Sequence, residues 1–171
     1  MANGARRPEE WMRRALDEAR RAGDAGDVPV GAVIVRDGEV LALAGNRTVR
    51  DGDATAHAEM LAIRAACHAL GGWRLSGCAL YVTLEPCAMC AGAIVLARLD
   101  AVAFGAWDDK AGMAGSVGDL LRHPRLNHQP EVRGGVLAGE CAEPLRVFFR
   151  ARRGDAALPD AALPDASPRE R

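Results

Sequence analysis

Apolar and polar positions run along this chain in two rhythms. Residues 9–22, EEWMRRALDEARRA, bring Trp11, Met12, Ala15, Leu16 and Ala19 together at helical spacing, with charges between them. Two apolar runs follow, VGAVIVR (30–36) and EVLALAG (39–45), separated only by Asp37-Gly38. That dipeptide takes positive φ readily, so the spacing predicts a tight hairpin. Residues 57–70 return to the helical period, with Thr55 placed to cap the helix and Gly71-Gly72 to stop it. CALYVTL (78–84) reads as a strand, 87–98 as a helix opened by Pro86, and AVAFG (101–105) as a buried strand.

The stretch from Gly105 to a further strand, VRGGVL (132–137), is too long for a hairpin, which predicts a parallel neighbour. A short helix is expected inside it near Val117–Arg122. A last helix covers 139–153, with Pro144 in or near its first turn. These elements predict a three-layer α/β/α sandwich around a mixed five-stranded sheet. The domain is expected to span 1–153. The tail, 154–171, repeats Ala-Ala-Leu-Pro-Asp and is expected to be disordered.

Composition narrows the function classes. With 171 residues and 49% of them hydrophobic, the chain can bury a substantial core. Apolar runs are broken by Gly, Arg or Asp before bilayer length, and the Arg- and Glu-rich start lacks the apolar stretch of a signal peptide. A cytoplasmic protein without a membrane partner is the expectation. The odd set of Cys67, Cys78, Cys87, Cys90 and Cys141 argues against a disulfide framework and for metal binding or buried thiols. A net charge of -1 does not advertise a nucleic-acid binder, yet the acidic tail accounts for that sign and leaves the body slightly basic.

The chemistry concentrates at three positions. A catalytic zinc takes three protein ligands, thiolate or imidazole among them, and keeps a fourth position for water. Cys87 and Cys90, three residues apart at a helix start, put both sulfurs on one side, where the helix dipole favours thiolate. His57 opens another helix, and the two helix starts follow strands that can lie side by side. Glu59 suits proton exchange with a metal-activated water better than ligation. His-x-Glu followed by Pro-Cys-x-x-Cys is the known signature of zinc deaminases acting on nucleobases. Parts of it fit other chemistry. Cys87 and Cys90 alone suit a thiol oxidoreductase, or a structural zinc in a binding module with Cys67, His68, Cys78 or Cys141 as fourth ligand. Neither use explains Glu59, and Cys67, Cys78 and Cys141 read as core.

Further runs surround the signature: Pro29-Val30-Gly31-Ala32-Val33, Gly45-Asn46-Arg47, His57-Ala58-Glu59-Met60, Thr83 to Ala93, Phe104-Gly105-Ala106 with Asp108 and Lys110, Gly115-Ser116, Asn127-His128 and Phe148-Phe149-Arg150. In these runs, in order from Trp11 to Arg153, the chain resembles the bacterial tRNA-specific adenosine deaminase family of the cytidine/deoxycytidylate deaminase superfamily. The resemblance implies a cytidine deaminase-like fold and one Zn2+ per subunit of a homodimer. It also implies hydrolysis of adenosine to inosine, through zinc-activated water, at the wobble position of a tRNA anticodon, that of an arginine tRNA. By that resemblance His57, Cys87 and Cys90 hold the metal and Glu59 moves the protons. Asn46 and Val30 bound the flipped nucleoside. Asp108, Lys110 and Asn127 meet neighbouring loop nucleotides, and Phe149, Arg150, Arg152 and Arg153 lie along the RNA path.

Plainer readings stand beside these roles. Asn46 also suits a turn after a strand, one of Phe148 and Phe149 is expected to be buried, and Arg146 to Arg153 also suits a solvated helix face. Three positions depart from the family's usual pattern: Ala54 in place of a proline, Trp107 where a smaller or polar residue is common, and Met113 in place of alanine. The main rival function is deamination of a free base or nucleoside of cytosine or guanine type, which the same zinc and Glu59 would serve.

Overall fold

The computed structural model describes residues 7–154, so the expectation for the tail falls on residues outside it. Helix α1 (Pro8–Asp24) buries Trp11, Met12, Ala15, Leu16 and Ala19, the stripe its spacing predicts. Strands β1 (Gly31–Arg36) and β2 (Glu39–Gly45) pair antiparallel. Asp37 at φ 52° and Gly38 at φ 76° make the primed turn whose twist matches the strands. The chain continues through α2 (Thr48–Asp51), α3 (Ala58–Leu70), β3 (Cys78–Leu84), α4 (Ala88–Ala97), β4 (Ala101–Ala106), β5 (Glu131–Arg133) and α5 (Ala138–Arg152).

The five strands form one sheet in the order β2-β1-β3-β4-β5. β1 runs antiparallel to β2 and β3, while β3, β4 and β5 are parallel, so the sheet is mixed as expected. Both faces are covered. Ile34, Leu80, Val82, Val102 and Phe104 pack with Ala62 and Ile63 of α3 and Ile94 and Val95 of α4. Val33, Val35 and Ala103 face the other way, against Trp11, Met12 and Leu16 of α1 and Cys141 of α5. Each large side chain fully buried in these layers contributes about 1.5–3 kcal/mol.

This topology brings the functional positions to one end of the sheet. β3 runs out toward Pro86 and Cys87, and β2 runs out toward Asn46 at the same end. The Asn46 amide donates to the Val30 carbonyl at 3.0 Å, and the Gly31 amide to the Thr83 hydroxyl at 3.1 Å. In open sheets the carboxyl ends of parallel strands are where sites collect.

Four expectations need correction. No helix forms near Val117–Arg122. That segment is a series of turns with an isolated bridge between Ala114 and Asp119, because its amides are taken from outside a helix: those of Val117 and Leu120 by the carbonyls of Gly112 and Met113, that of Arg122 by the Asp119 side chain. The fifth strand stops at Arg133, where Gly134-Gly135 leaves the ladder. α5 starts at Ala138, which puts Pro144 beyond the first turn, inside the helix. Cys67 is half-buried with its thiol toward the Trp73 carbonyl, whereas Cys78 and Cys141 are core as expected.

Candidate metal centre

His57 and Cys87 occupy equivalent places, the N-caps of α3 and α4, with extended backbone and no side-chain cap hydrogen bond. An N-cap whose side chain does not cap is free to reach outward. Cys90 follows one turn into α4. The three ligand atoms lie within 4.8 Å of one another, the only such group among the described residues. His57 Nδ1 is 3.7 Å from Cys87 Sγ and 3.5 Å from Cys90 Sγ. A tetrahedral zinc, with Zn–S of about 2.3 Å and Zn–N of about 2.1 Å, sets sulfur and nitrogen about 3.6 Å apart. The set therefore fits zinc in spacing and donor chemistry. With three protein ligands and no fourth in the group, it has the form of a catalytic site.

The thiolate that zinc requires is prepared electrostatically. A hydrogen bond from the Cys90 thiol, with a further one from His57, holds Cys87 down to about 4 against the opposing effect of burial. The same bond to Cys87 pushes Cys90 up, as does burial. His57 is raised, chiefly by its bond to Cys87. Without metal the three groups thus share a thiolate and the protons around it, and a cation must displace protons to bind. Glu59, 4% exposed in the first turn of α3, is pushed up to about 7, mainly by burial.

A family model for the zinc-binding region of cytidine and deoxycytidylate deaminases matches residues 5–106. The chain is 52% identical over 145 residues to the tRNA-specific adenosine deaminase of Bacillus subtilis, spanning 85% of this chain and 90% of that one. The chain belongs to the tRNA-specific adenosine deaminases. A structure from work on A-to-I editing by tRNA:A34 deaminases superimposes with a TM-score of 0.75 at 48% identity, covering 80% of this chain and 99% of the other. Guanine deaminase from Bacillus subtilis superimposes with a TM-score of 0.60 at 36% identity, covering 92% of this chain and all of that one. The centre is thus the zinc site of a tRNA-specific adenosine deaminase, held by a five-stranded cytidine deaminase-like fold.

Around the zinc site of this adenosine deaminase, the remaining predicted residues fall into two groups. Asn46 and Val30 are buried. The Asn46 side-chain oxygen accepts from the Ala58 amide at 2.8 Å, so Asn46 satisfies the start of α3. The Thr55 hydroxyl instead bonds Asp53, which corrects the expected cap. Asp108 is half-buried and folds its carboxylate onto the amides of Lys110 and Ala111, leaving Lys110 exposed.

The second group is at the surface. Asn127, Phe149, Arg150 and Arg153 are exposed. Neither phenylalanine of α5 is buried, contrary to expectation: Phe148 is half-buried, and Phe149 is 43% exposed and meets it edge-on. Arg152 stacks on Phe148 and donates to the Gly26 carbonyl at 2.8 Å, tying the end of α5 to the loop before Val30. Ala54 is an exposed turn residue. Half-exposed Trp107 stands edge-on against Phe104, their ring centres 4.8 Å apart. Sequence reasoning gave no role to Glu85, although a charge between a buried strand and Pro86-Cys87 is itself a signal that donors must gather there.

Proposed function

We propose that this protein hydrolyses adenosine to inosine at the wobble position of a tRNA anticodon, that of an arginine tRNA, as a homodimer in the cytoplasm. The observation that carries this reading is the buried Glu59 beside a three-ligand centre, in a chain half identical to tRNA-specific adenosine deaminases. No described helix is long and apolar enough to cross a membrane.

When bound, zinc supplies the Lewis acidity that activates a water for attack on C6 of adenine. His57, Cys87 and Cys90 hold it. Glu59 receives a proton as the water adds and delivers it to N1. It then passes the second proton to the departing amino group, so adenosine and water become inosine and ammonia. Burial disfavours the charged form of Glu59, which suits it to take a proton up and hand it on. Asn46 spends its oxygen on Ala58, which leaves its amide hydrogens for the nucleoside against the Val30 wall. Asp108, Lys110 and Asn127 meet the flanking nucleotides, Phe149 and Arg150 line the RNA path, and Arg152 and Arg153 approach phosphates. Trp107 offers an exposed ring beside the same loop for stacking.

The structural likeness to guanine deaminase favours a second reading, a free-base deaminase. Incubating the zinc-loaded protein with an anticodon stem-loop carrying A at the wobble position, and separately with free guanine, cytosine and adenosine, decides between them. Inosine and ammonia are expected from the RNA. Ammonia from a free base, with none from RNA, overturns the proposal. Sedimentation of the purified protein at twice the monomer mass checks the homodimer.

A further inference from the structure

Glu85 is 2% exposed, and among the described residues it bonds amides and one hydroxyl and makes no ion pair. A buried carboxylate of this kind is costly unless donors surround it. Here they do. Oε1 accepts from the Ala114 and Ser116 amides, both at 3.0 Å, and Oε2 from the Asp108 amide at 2.9 Å and from the Ser116 hydroxyl. All four donors come from the single segment 108–116, which has no helix of its own. The backbone completes the junction: the Glu85 amide donates to the Ala106 carbonyl at 2.8 Å, and the Met113 amide to the Pro86 carbonyl at 2.8 Å. Gly112 is pressed so closely to the carboxylate that a Cβ there would collide with it. Glu85 stands two residues before Cys87. One acid thus ties the turn bearing a zinc ligand to the loop bearing Asp108 and Lys110.

We infer that Glu85 is a positioning residue for deamination: through its bonds to the Asp108 and Ser116 amides it sets the loop carrying Asp108 and Lys110 in register with the metal centre. This rests on the reading above that the loop touches RNA. A loop without secondary structure would otherwise sample many arrangements, and a flexible RNA would meet it without a defined partner. The buried carboxylate removes that freedom before the substrate arrives. Glutamine cannot replace it, because its amide group would face a donor whichever way it turned.

The test is a double-mutant cycle on the full-length, zinc-loaded chain, with the wobble-A stem-loop as substrate. Ser116→Ala removes one donor and spares the three amides. Glu85→Gln removes the charge. Both are expected to retain one zinc per chain, with kcat/KM lowered about tenfold or more by Glu85→Gln and a few-fold by Ser116→Ala. Asp108→Ala is expected to cost less on the Glu85→Gln background than alone, because the loop is already released. Independent, multiplying effects overturn the positioning role, as does wild-type kcat/KM in both Glu85→Gln and Ser116→Ala. If Glu85→Gln does not fold, the cycle of Ser116→Ala with Asp108→Ala decides by the same criterion. If Asp108→Ala is silent, Lys110→Ala takes its place in the cycle, and its coupling to Glu85→Gln decides by the same criterion.

Discussion

The metal centre and the end of α5 are built on opposite plans. At the centre, Cys90 and Glu59 are buried, His57 and Cys87 half-buried, and each is placed by the first turn of a helix. At the end of α5, Phe149, Arg150 and Arg153 are exposed on a helix that contributes only Cys141 to the fully buried core. Bond-making needs reacting groups fixed to a fraction of an ångström, which packing and short hydrogen bonds supply. Contact with a charged, flexible polymer instead uses long side chains that stay hydrated and act over a screening length. Substitutions in the two regions should therefore fail in different ways.

The largest effect is expected at the ligands. Cys87→Ser or His57→Ala should lose zinc by elemental analysis, deaminate below detection, and melt several degrees lower, since metal binding and folding are linked. Full zinc content in either variant would remove it from the ligand set. Glu59→Ala should separate metal from chemistry, keeping about one zinc per chain while the single-turnover rate falls about 10³-fold. Unchanged turnover there would end the proton-transfer role.

Asn46 lies between the two regimes. Asn46→Ala leaves the Ala58 amide without its acceptor and is expected to cost about 1–2 kcal/mol in denaturant unfolding. Asn46→Asp keeps the acceptor and should keep that stability, while kcat/KM falls about tenfold for want of the amide donors. Equal stability loss in both would mean that the capping bond is not what matters. The smallest effects belong to the arginines. Arg153→Ala is expected to reduce the slope of log K against log salt for stem-loop binding by about one. Arg152→Ala should cost some stability as well, because its guanidinium holds Gly26 and Phe148. Identical salt slopes in wild type and Arg153→Ala would take Arg153 out of the RNA path.

Much of this molecule follows from short-range pattern. Helical spacing in 9–22 specifies the buried face of α1, and Asp37-Gly38 specifies a turn because few dipeptides take positive φ twice. Cys87, Cys90, His57 and Glu59 were legible for the same reason: ligand spacing along one helix turn, and an acid two residues from a histidine, are local quantities. Three contacts that the sequence did not announce have the opposite property. Asn46 rather than Thr55 meets the start of α3 from 12 residues away, and Glu85 gathers amides 23 to 31 residues downstream. Arg152 is held by a carbonyl 126 residues earlier. The chain alone determined where the four long helices and the first four strands lie, and which side chains can bind a cation. Only packing decided which distant amide met which buried oxygen, because such bonds form where the layers close and leave no periodic trace along the sequence.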